Sequence, residues 1–160
     1  MSYYKIMFKK IIKLTIILFF LNGCGYTPIY STNSKNDFNI ELINFKGDND
    51  LNNFIKQKID GLTNKERENN KTFQVSLDSR YSKDVQIKDK SGKATQYSLN
   101  ANASFTIEIN DELKEISFSE KSSLSKFSDE FEEANYERSF KENISQVFVN
   151  KLIIYLSRIK

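Results

Sequence analysis

The chain has 160 residues, with 24 lysines and arginines against 21 acidic residues and a formal net charge of +3. Four of the lysines lie within residues 1–13, where no acidic residue occurs, so the rest of the chain is nearly neutral and does not indicate nucleic-acid binding. Histidine is absent and Cys24 is the only cysteine, which excludes an intrachain disulfide and histidine-based catalytic or metal sites.

Residues 1–23 have the pattern of a secretory signal peptide. Lysines precede a short apolar run at 14–21, which is far shorter than the ~20 residues that comfortably span a bilayer. Leu21 and Gly23 then stand before Cys24 in the spacing of a lipoprotein cleavage site. We predict that residues 1–23 are cleaved and that Cys24 carries a diacylglyceryl group and an N-acyl chain, which would anchor the protein in a membrane. The alternative is a retained membrane anchor with an unrelated cysteine.

Residues 24–37 are predicted to form a lipidated tether, and residues 38–160 a single folded domain. Apolar residues alternate from Phe38 towards Phe45, which predicts a first strand. A polar turn follows and ends at Asp50, which we expect to cap a helix. The helix is predicted from apolar residues at helical spacing, namely Leu51, Phe54, Ile55, Ile59 and Leu62.

Two long strands are the clearest structural signal. Odd-numbered positions are mainly apolar from 73 to 87 and from 97 to 109, and the even-numbered positions between them are polar, which predicts a sheet covered on one face. Paired residues share a face, so odd positions must pair with odd positions. Such pairing requires an odd number of residues in the turn. A three-residue turn at 90–92, with Gly92 in the left-handed conformation, meets this requirement. The predicted register places Val85 opposite Tyr97, Tyr81 opposite Ala101, and Leu77 opposite Phe105.

The last third of the chain predicts an edge strand and a long helix. The strand covers 116–124 and is rich in serine. Asp129 and Glu132 have capping-box spacing before a helix that extends to about residue 159, in which Glu137 and Lys141 could form an ion pair. The order β-α-β-β-β-α predicts an α+β, two-layer sandwich, with a four-stranded, mostly antiparallel sheet and two helices on one of its faces.

No arrangement of residues in the sequence indicates catalysis or metal binding. A carboxylate cluster at 129–133 is better explained as the start of a helix, because acidic residues stabilise the positive end of the helix dipole. We therefore predict a binding protein that is not an enzyme and has no cofactor other than its acyl chains.

The tip of the long hairpin is the candidate ligand site. Apolar residues near cations suit an acylated, phosphate-bearing ligand. The alternative is that the cations only solubilise the tip. The candidate binding residues are Arg80, Lys83, Lys88, Lys90 and Lys93.

Two segments resemble LptE-type lipopolysaccharide-assembly lipoproteins: the sequence C-G-Y-T-P-I-Y at 24–30, and the sequence A-T-Q-Y-S-L at 94–99 leading to F-T-I at 105–107. The resemblance implies a four-stranded sheet with two helices. It also implies an outer-membrane lipoprotein that sits inside an LptD-type β-barrel and helps lipopolysaccharide to enter the outer leaflet. Gly25, rather than aspartate, follows Cys24, which agrees with sorting to the outer membrane.

Two other functions remain open. An accessory lipoprotein of a lipid-trafficking ABC transporter would share the anchor and a small α+β domain, and so would a purely structural envelope lipoprotein. The expected partners of the preferred function are the barrel, lipopolysaccharide and the membrane, with no nucleic acid.

Overall fold

A computed structural model describes residues 38–62, 71–109 and 112–159, so the predicted signal peptide, the tether and Cys24 lie outside the described residues. The predicted α+β order β-α-β-β-β-α is confirmed. Its elements are β1 (Phe38–Gly47), α1 (Asn49–Asp60), β2 (Lys71–Lys88), β3 (Ala94–Ile109), β4 (Glu112–Ser125) and α2 (Glu130–Arg158). Neither of the described helices is long and apolar enough to cross a membrane.

The four strands form a mixed sheet in the order β1-β2-β3-β4. β1 pairs with β2 in parallel, because α1 returns the chain to the same end of the sheet, and the other pairs are antiparallel. The β2–β3 register is the predicted one, and all three predicted residue pairs are present. Gly92 has a φ of 83°, as the turn requires. The register shifts twice beyond Val85, so that Ile87 lies opposite Gln96 and Lys88 lies opposite Ala94.

The hydrophobic core lies between the two helices and the sheet face that carries the odd-numbered residues of β2 and β3 and the even-numbered residues of β4. It is continuous from α1 to the second half of α2. The first turns of α2, at 130–139, are mostly exposed, whereas the helix has buried residues from Lys141 onward. The largest buried side chains are Phe73, Phe105, Phe148, Leu51, Ile55 and Ile59. This packing leaves the opposite face of the sheet open, with the even-numbered residues of β2 and β3 and the odd-numbered residues of β4.

One of the two helix N-caps differs from the prediction. Asp48, and not Asp50, caps α1, and its side chain accepts a hydrogen bond from the backbone N–H of Leu51 at 2.8 Å. The chain turns at Gly47, so Asp48 is the last extended residue before the helix. Asp129 caps α2 as expected.

In the predicted capping box, the carboxylate of Glu132 would accept the backbone N–H of Asp129. The structure has a different bond at the start of α2. The carboxylate of Glu133, and not that of Glu132, accepts the backbone N–H of Phe127 at 3.3 Å. The link therefore reaches further back along the chain than a capping box would.

Candidate functional site

The five predicted binding cations occupy three separate places. Arg80 lies on the open face of the sheet, where its side chain is 80% exposed and 3.9 Å from Asp78. Lys83 lies on the opposite face, beneath α2, because successive residues of a strand point to opposite sides. Only Lys88, Lys90 and Lys93 share the hairpin tip, where all three are exposed.

The tip combines these lysines with two half-exposed apolar side chains. Val85 is 48% exposed and Ile87 is 49% exposed. We refer to Val85, Ile87, Lys88, Lys90 and Lys93 as the tip patch. Cations beside apolar groups can contact both the phosphates and the acyl chains of a lipid.

The turn that carries the tip lysines is ordered by one carboxylate. Asp89 accepts hydrogen bonds from the hydroxyl of Ser91 at 2.7 Å and from the backbone N–H of Ser91 and of Lys93 at 2.8 and 3.0 Å. These bonds favour the ionised form and lower the pKa of Asp89. The lysines therefore project from a fixed loop.

Reversing the tip charges should weaken lipid binding without unfolding the protein. We expect K88E/K90E/K93E to reduce binding to anionic, lipopolysaccharide-containing vesicles by at least about tenfold, because each lysine near such a surface contributes about 1 kcal/mol. The free energy of unfolding should change by less than about 0.5 kcal/mol. Co-sedimentation with vesicles measures the binding, and K46E/K56E/K121E reverses the same number of exposed lysines elsewhere. Equal losses in both variants would contradict a specific role of the tip.

Lys83 links β2 to the first turns of α2. Its ammonium donates hydrogen bonds to Glu133 and, at 2.5 Å, to Glu137 Oε1, and it lies 4.5 Å from the ring centroid of Tyr97. The hydroxyl of Tyr81 donates to Glu137 Oε2 at 2.8 Å. Lys83 therefore connects α2 to the sheet and lies apart from the lysines of the hairpin tip.

The acid–base properties of this cluster follow from its contacts. Burial disfavours the Lys83 ammonium, but the bonds to Glu133 and Glu137 outweigh that effect and raise its pKa. The bond from Lys83 lowers the pKa of Glu133, against a smaller opposing effect of burial. Burial, followed by the bond to Glu137, raises the pKa of the Tyr81 hydroxyl. All three groups are held in the protonation states that make these bonds.

The stabilising effect of this cluster should be lost in acid. The pKa of Glu133 is lower in the folded than in the unfolded protein, so its contribution is present above the unfolded value of about 4.3 and is lost as the pH falls through the folded value. We expect K83M to reduce the free energy of unfolding by about 1–2 kcal/mol at neutral pH, and by much less near pH 3. Urea unfolding at both pH values measures the difference. A difference that does not depend on pH would contradict the ionic role.

A second cation, Lys141, is buried between α1, α2 and the sheet. Its ammonium donates hydrogen bonds to Asp48 Oδ2 at 3.0 Å and to Asp50 Oδ2 at 3.3 Å, and it lies 4.4 Å from the ring centroid of Tyr81. The predicted pair between Glu137 and Lys141 is therefore wrong, because each residue binds partners from distant parts of the chain instead.

The open face of the sheet is lined by hydroxyl and amide side chains. Several of them bond to one another, such as Ser104 to Ser117 at 2.7 Å and Asn100 to Asp84 at 2.9 Å. No described helix covers this face. Its uncharged polar members on β2 to β4 include Gln74, Ser76, Ser82, Gln86, Gln96, Ser98, Asn100, Asn102, Ser104, Thr106, Ser117, Ser119, Ser123 and Ser125. We refer to this surface as the open polar face.

The described part of the chain holds no group of histidine, cysteine, aspartate or glutamate residues placed to bind a metal ion. The clefts near the polar clusters are shallow. One cleft of about 500 Å³ lies between the helices beside Phe54 and Lys141. Its polar lining mixes both signs of charge, Asp50 and Glu137 with Arg138 and Lys141, so it does not select a charged ligand. The surfaces that distinguish this protein are therefore the tip patch and the open polar face.

Comparison with known proteins shows what this fold is similar to. No family model matches the sequence, and no curated protein matches it. The rare lipoprotein B of Shewanella oneidensis has a similar solved structure, with a TM-score of 0.54 over 74% of this chain and 98% of that chain, at 7% identity. A candidate lipoprotein of Caulobacter crescentus has a TM-score of 0.44 over 76% of this chain and 92% of that chain, at 11% identity. At these identities the likeness to the Shewanella protein shows a shared fold.

Proposed function

We propose that this protein is an outer-membrane lipoprotein, anchored through Cys24 with its folded domain in the periplasm, that assembles lipopolysaccharide together with an LptD-type β-barrel. The observation that carries the proposal is the open polar face. Its hydroxyl and amide groups can exchange hydrogen bonds with a hydrophilic barrel lumen. Most of its residues on β2 to β4 are uncharged, although the face also carries Asp78, Arg80, Asp84, Glu108, Glu115 and Lys121. Docking would therefore bury mainly uncharged polar groups, and these ions would need partners in the lumen.

Three further observations support the proposal. The pattern that ends at Cys24 supplies the anchor, and residues 24–30 resemble the start of LptE-type lipoproteins. The fold is similar to that of a rare lipoprotein. The tip patch offers cations and apolar surface to the phosphates and acyl chains of lipopolysaccharide.

The lipid anchor is tested by metabolic labelling with a palmitate analogue. We expect the wild-type protein to incorporate the label and to sediment with membranes, because two or three acyl chains give effectively permanent attachment. C24A should lose both the label and the membrane attachment. Unlabelled wild-type protein, or label that survives in C24A, would overturn the anchor.

The partner is tested by affinity purification of the tagged protein from cell envelopes, followed by mass spectrometry. Recovery of a large outer-membrane barrel would support the proposal. Recovery of transporter subunits instead would overturn it in favour of the ABC-transporter accessory role. Depletion of the protein should also block the appearance of lipopolysaccharide at the cell surface.

The docking face is tested by two matched arginine substitutions. Asn102 is an exposed residue of β3 on the open polar face, and Ser139 is an exposed residue of α2. We expect N102R to reduce recovery of the barrel by at least about tenfold, because it places an unpaired charge in the interface. S139R should recover the barrel at wild-type levels. Equal recovery with N102R would show that another surface docks.

A further inference from the structure

The outer edge of β4 differs from the other edge of the sheet. β4 pairs with β3 without interruption from Glu112 to Ser125, and its sequence contains no proline or glycine. At the opposite edge, the β1–β2 register shifts between Leu42 and Asn44. Such irregularities blunt an edge, whereas a long regular edge presents a row of unpaired backbone groups. Among the described residues, no strand pairs with the outer side of β4.

The side chains of β4 are complementary to a second, antiparallel copy of the same strand. If the helices of both copies lie on the same side of a joined sheet, residues of equal parity meet. With Ser117 opposite itself, Lys114 meets Glu120 and Ile116 meets Phe118, and symmetry makes each of these pairs twice. This register therefore joins opposite charges and matched apolar groups within residues 114–120.

Neighbouring registers are less favourable. Moving one strand by two residues places Glu120 opposite Ile116 in one direction and opposite Glu112 in the other. The first register sets a carboxylate against an apolar side chain, and the second sets like charges against each other. The charge pattern thus selects the register with Ser117 at its centre.

We propose that two copies of this protein pair through their β4 edges, antiparallel and centred on Ser117, to form one continuous eight-stranded sheet. The pairing satisfies the free backbone groups of both edges and adds contacts between Ile116 and Phe118, which are only partly buried in a single copy. It goes beyond the proposed function and is tested without the barrel, so either proposal can fail while the other stands.

Cysteine crosslinking of the purified full-length protein in detergent tests the register. S117C should give a crosslinked dimer with a short thiol-specific reagent, because directly opposite Cβ atoms lie about 5 Å apart. S123C, on the same strand and face, should not crosslink, because its symmetry mate lies roughly 40 Å away along the strands. The wild-type chain, in which Cys24 is the only cysteine, gives the background. No S117C dimer, or equal crosslinking of S123C, would overturn the proposal.

Charge-reversing substitutions at Lys114 and Glu120 test the same interface through the dimer dissociation constant. K114E and E120K each place like charges opposite one another twice, so each should raise the dimer dissociation constant by at least about tenfold. A mixture of the two variants restores both opposite-charge pairs and should form mixed dimers, detected by co-purification of two different tags. K121E changes the same net charge but meets Leu113, so it should dimerise like the wild type.

Three outcomes would overturn the proposal. They are wild-type affinity in K114E, loss of affinity in K121E equal to that in K114E, and failure of the mixed variants to associate. E120K also loses an ion pair with Lys151 within one copy, so K114E is the primary variant. In whole cells, an S117C adduct with a different protein in place of a second copy would likewise overturn it.

Discussion

Replacing Gly47 with alanine is expected to lower the free energy of unfolding by at least about 3 kcal/mol, or to prevent folding altogether. Gly47 has a φ of 91°, a conformation that L-residues rarely adopt. A Cβ atom there would lie 1.7 Å from the carbonyl oxygen of Ser79 and 2.8 Å from its carbonyl carbon. Both atoms belong to the backbone of a central strand, so they cannot move aside cheaply.

The glycine also determines how α1 begins. Immediately after it, the N–H of Asp48 donates to the Ser79 carbonyl at 3.0 Å, and the hydroxyl of Ser79 donates to the Asp48 carbonyl at 3.2 Å. A side chain at position 47 would push β1 away from β2 and break both bonds. The cap of α1 and the partner of Lys141 would be displaced with them.

Two other glycines serve as controls for G47A. Gly92 has a φ of 83° but nothing within 4 Å of an added Cβ, so G92A should cost only about 1 kcal/mol. Gly61 has a φ of −69° and ordinary space, so G61A should change stability by less than about 1 kcal/mol in either direction. Urea unfolding followed by far-UV circular dichroism ranks the three variants. Equal costs for G47A and G92A would show that close approach to Ser79 is unimportant.

The sheet could be predicted from the sequence because its signals are local. Alternation along β2 and β3 assigns each residue to a face, and parity then permits only an odd number of turn residues. The predicted pairs Val85–Tyr97 and Leu77–Phe105 follow from that rule and are confirmed. The same rule also separates Arg80 from Lys83, so the division of the predicted cation cluster could have been recognised in the sequence.

The start of α1 could not be predicted in the same way. Residues 48–50 are all good capping types, and the sequence offers no reason to choose among them. The choice depends on Gly47 meeting Ser79, which lies on another strand. A cap is thus decided by a contact between distant residues, although the residues that form the cap are local.

The ion pairs of α2 illustrate the same limit. Glu137 and Lys141 have ideal spacing for a helical pair, but such a pair in water is worth only about 0.3–0.5 kcal/mol. Packing α2 on the sheet places both side chains beside partly buried polar groups that would otherwise lack these partners. The larger cost of leaving those groups unpaired outweighs the local preference. The partner of Lys141 depends on the folded position of Asp48, which is far from it in sequence.

Replacing Lys141 with methionine is expected to lower the free energy of unfolding by about 2–3 kcal/mol at neutral pH. The Lys141 side chain is only 11% exposed, and that of Asp48 is 22% exposed. Methionine fills much of the same space, so the loss comes mainly from leaving the Asp48 carboxylate without its cation. Residual exposure of that carboxylate keeps the cost below that of a fully buried pair.

A double substitution separates this charge effect from a loss of packing. D48N keeps a side chain that can cap α1 but removes the charge, so adding D48N to K141M should restore at least about 1 kcal/mol of the loss. K58M breaks an exposed pair with Glu142 at 3.5 Å and should cost less than about 0.5 kcal/mol. Urea unfolding of the wild type, D48N, K141M and D48N/K141M completes the cycle. If D48N and K141M were simply additive, the charge pair between Asp48 and Lys141 would contribute nothing to holding α2 against α1. The loss in K141M would then come from the contacts of Lys141 with Asp50 and Tyr81 or from its aliphatic chain.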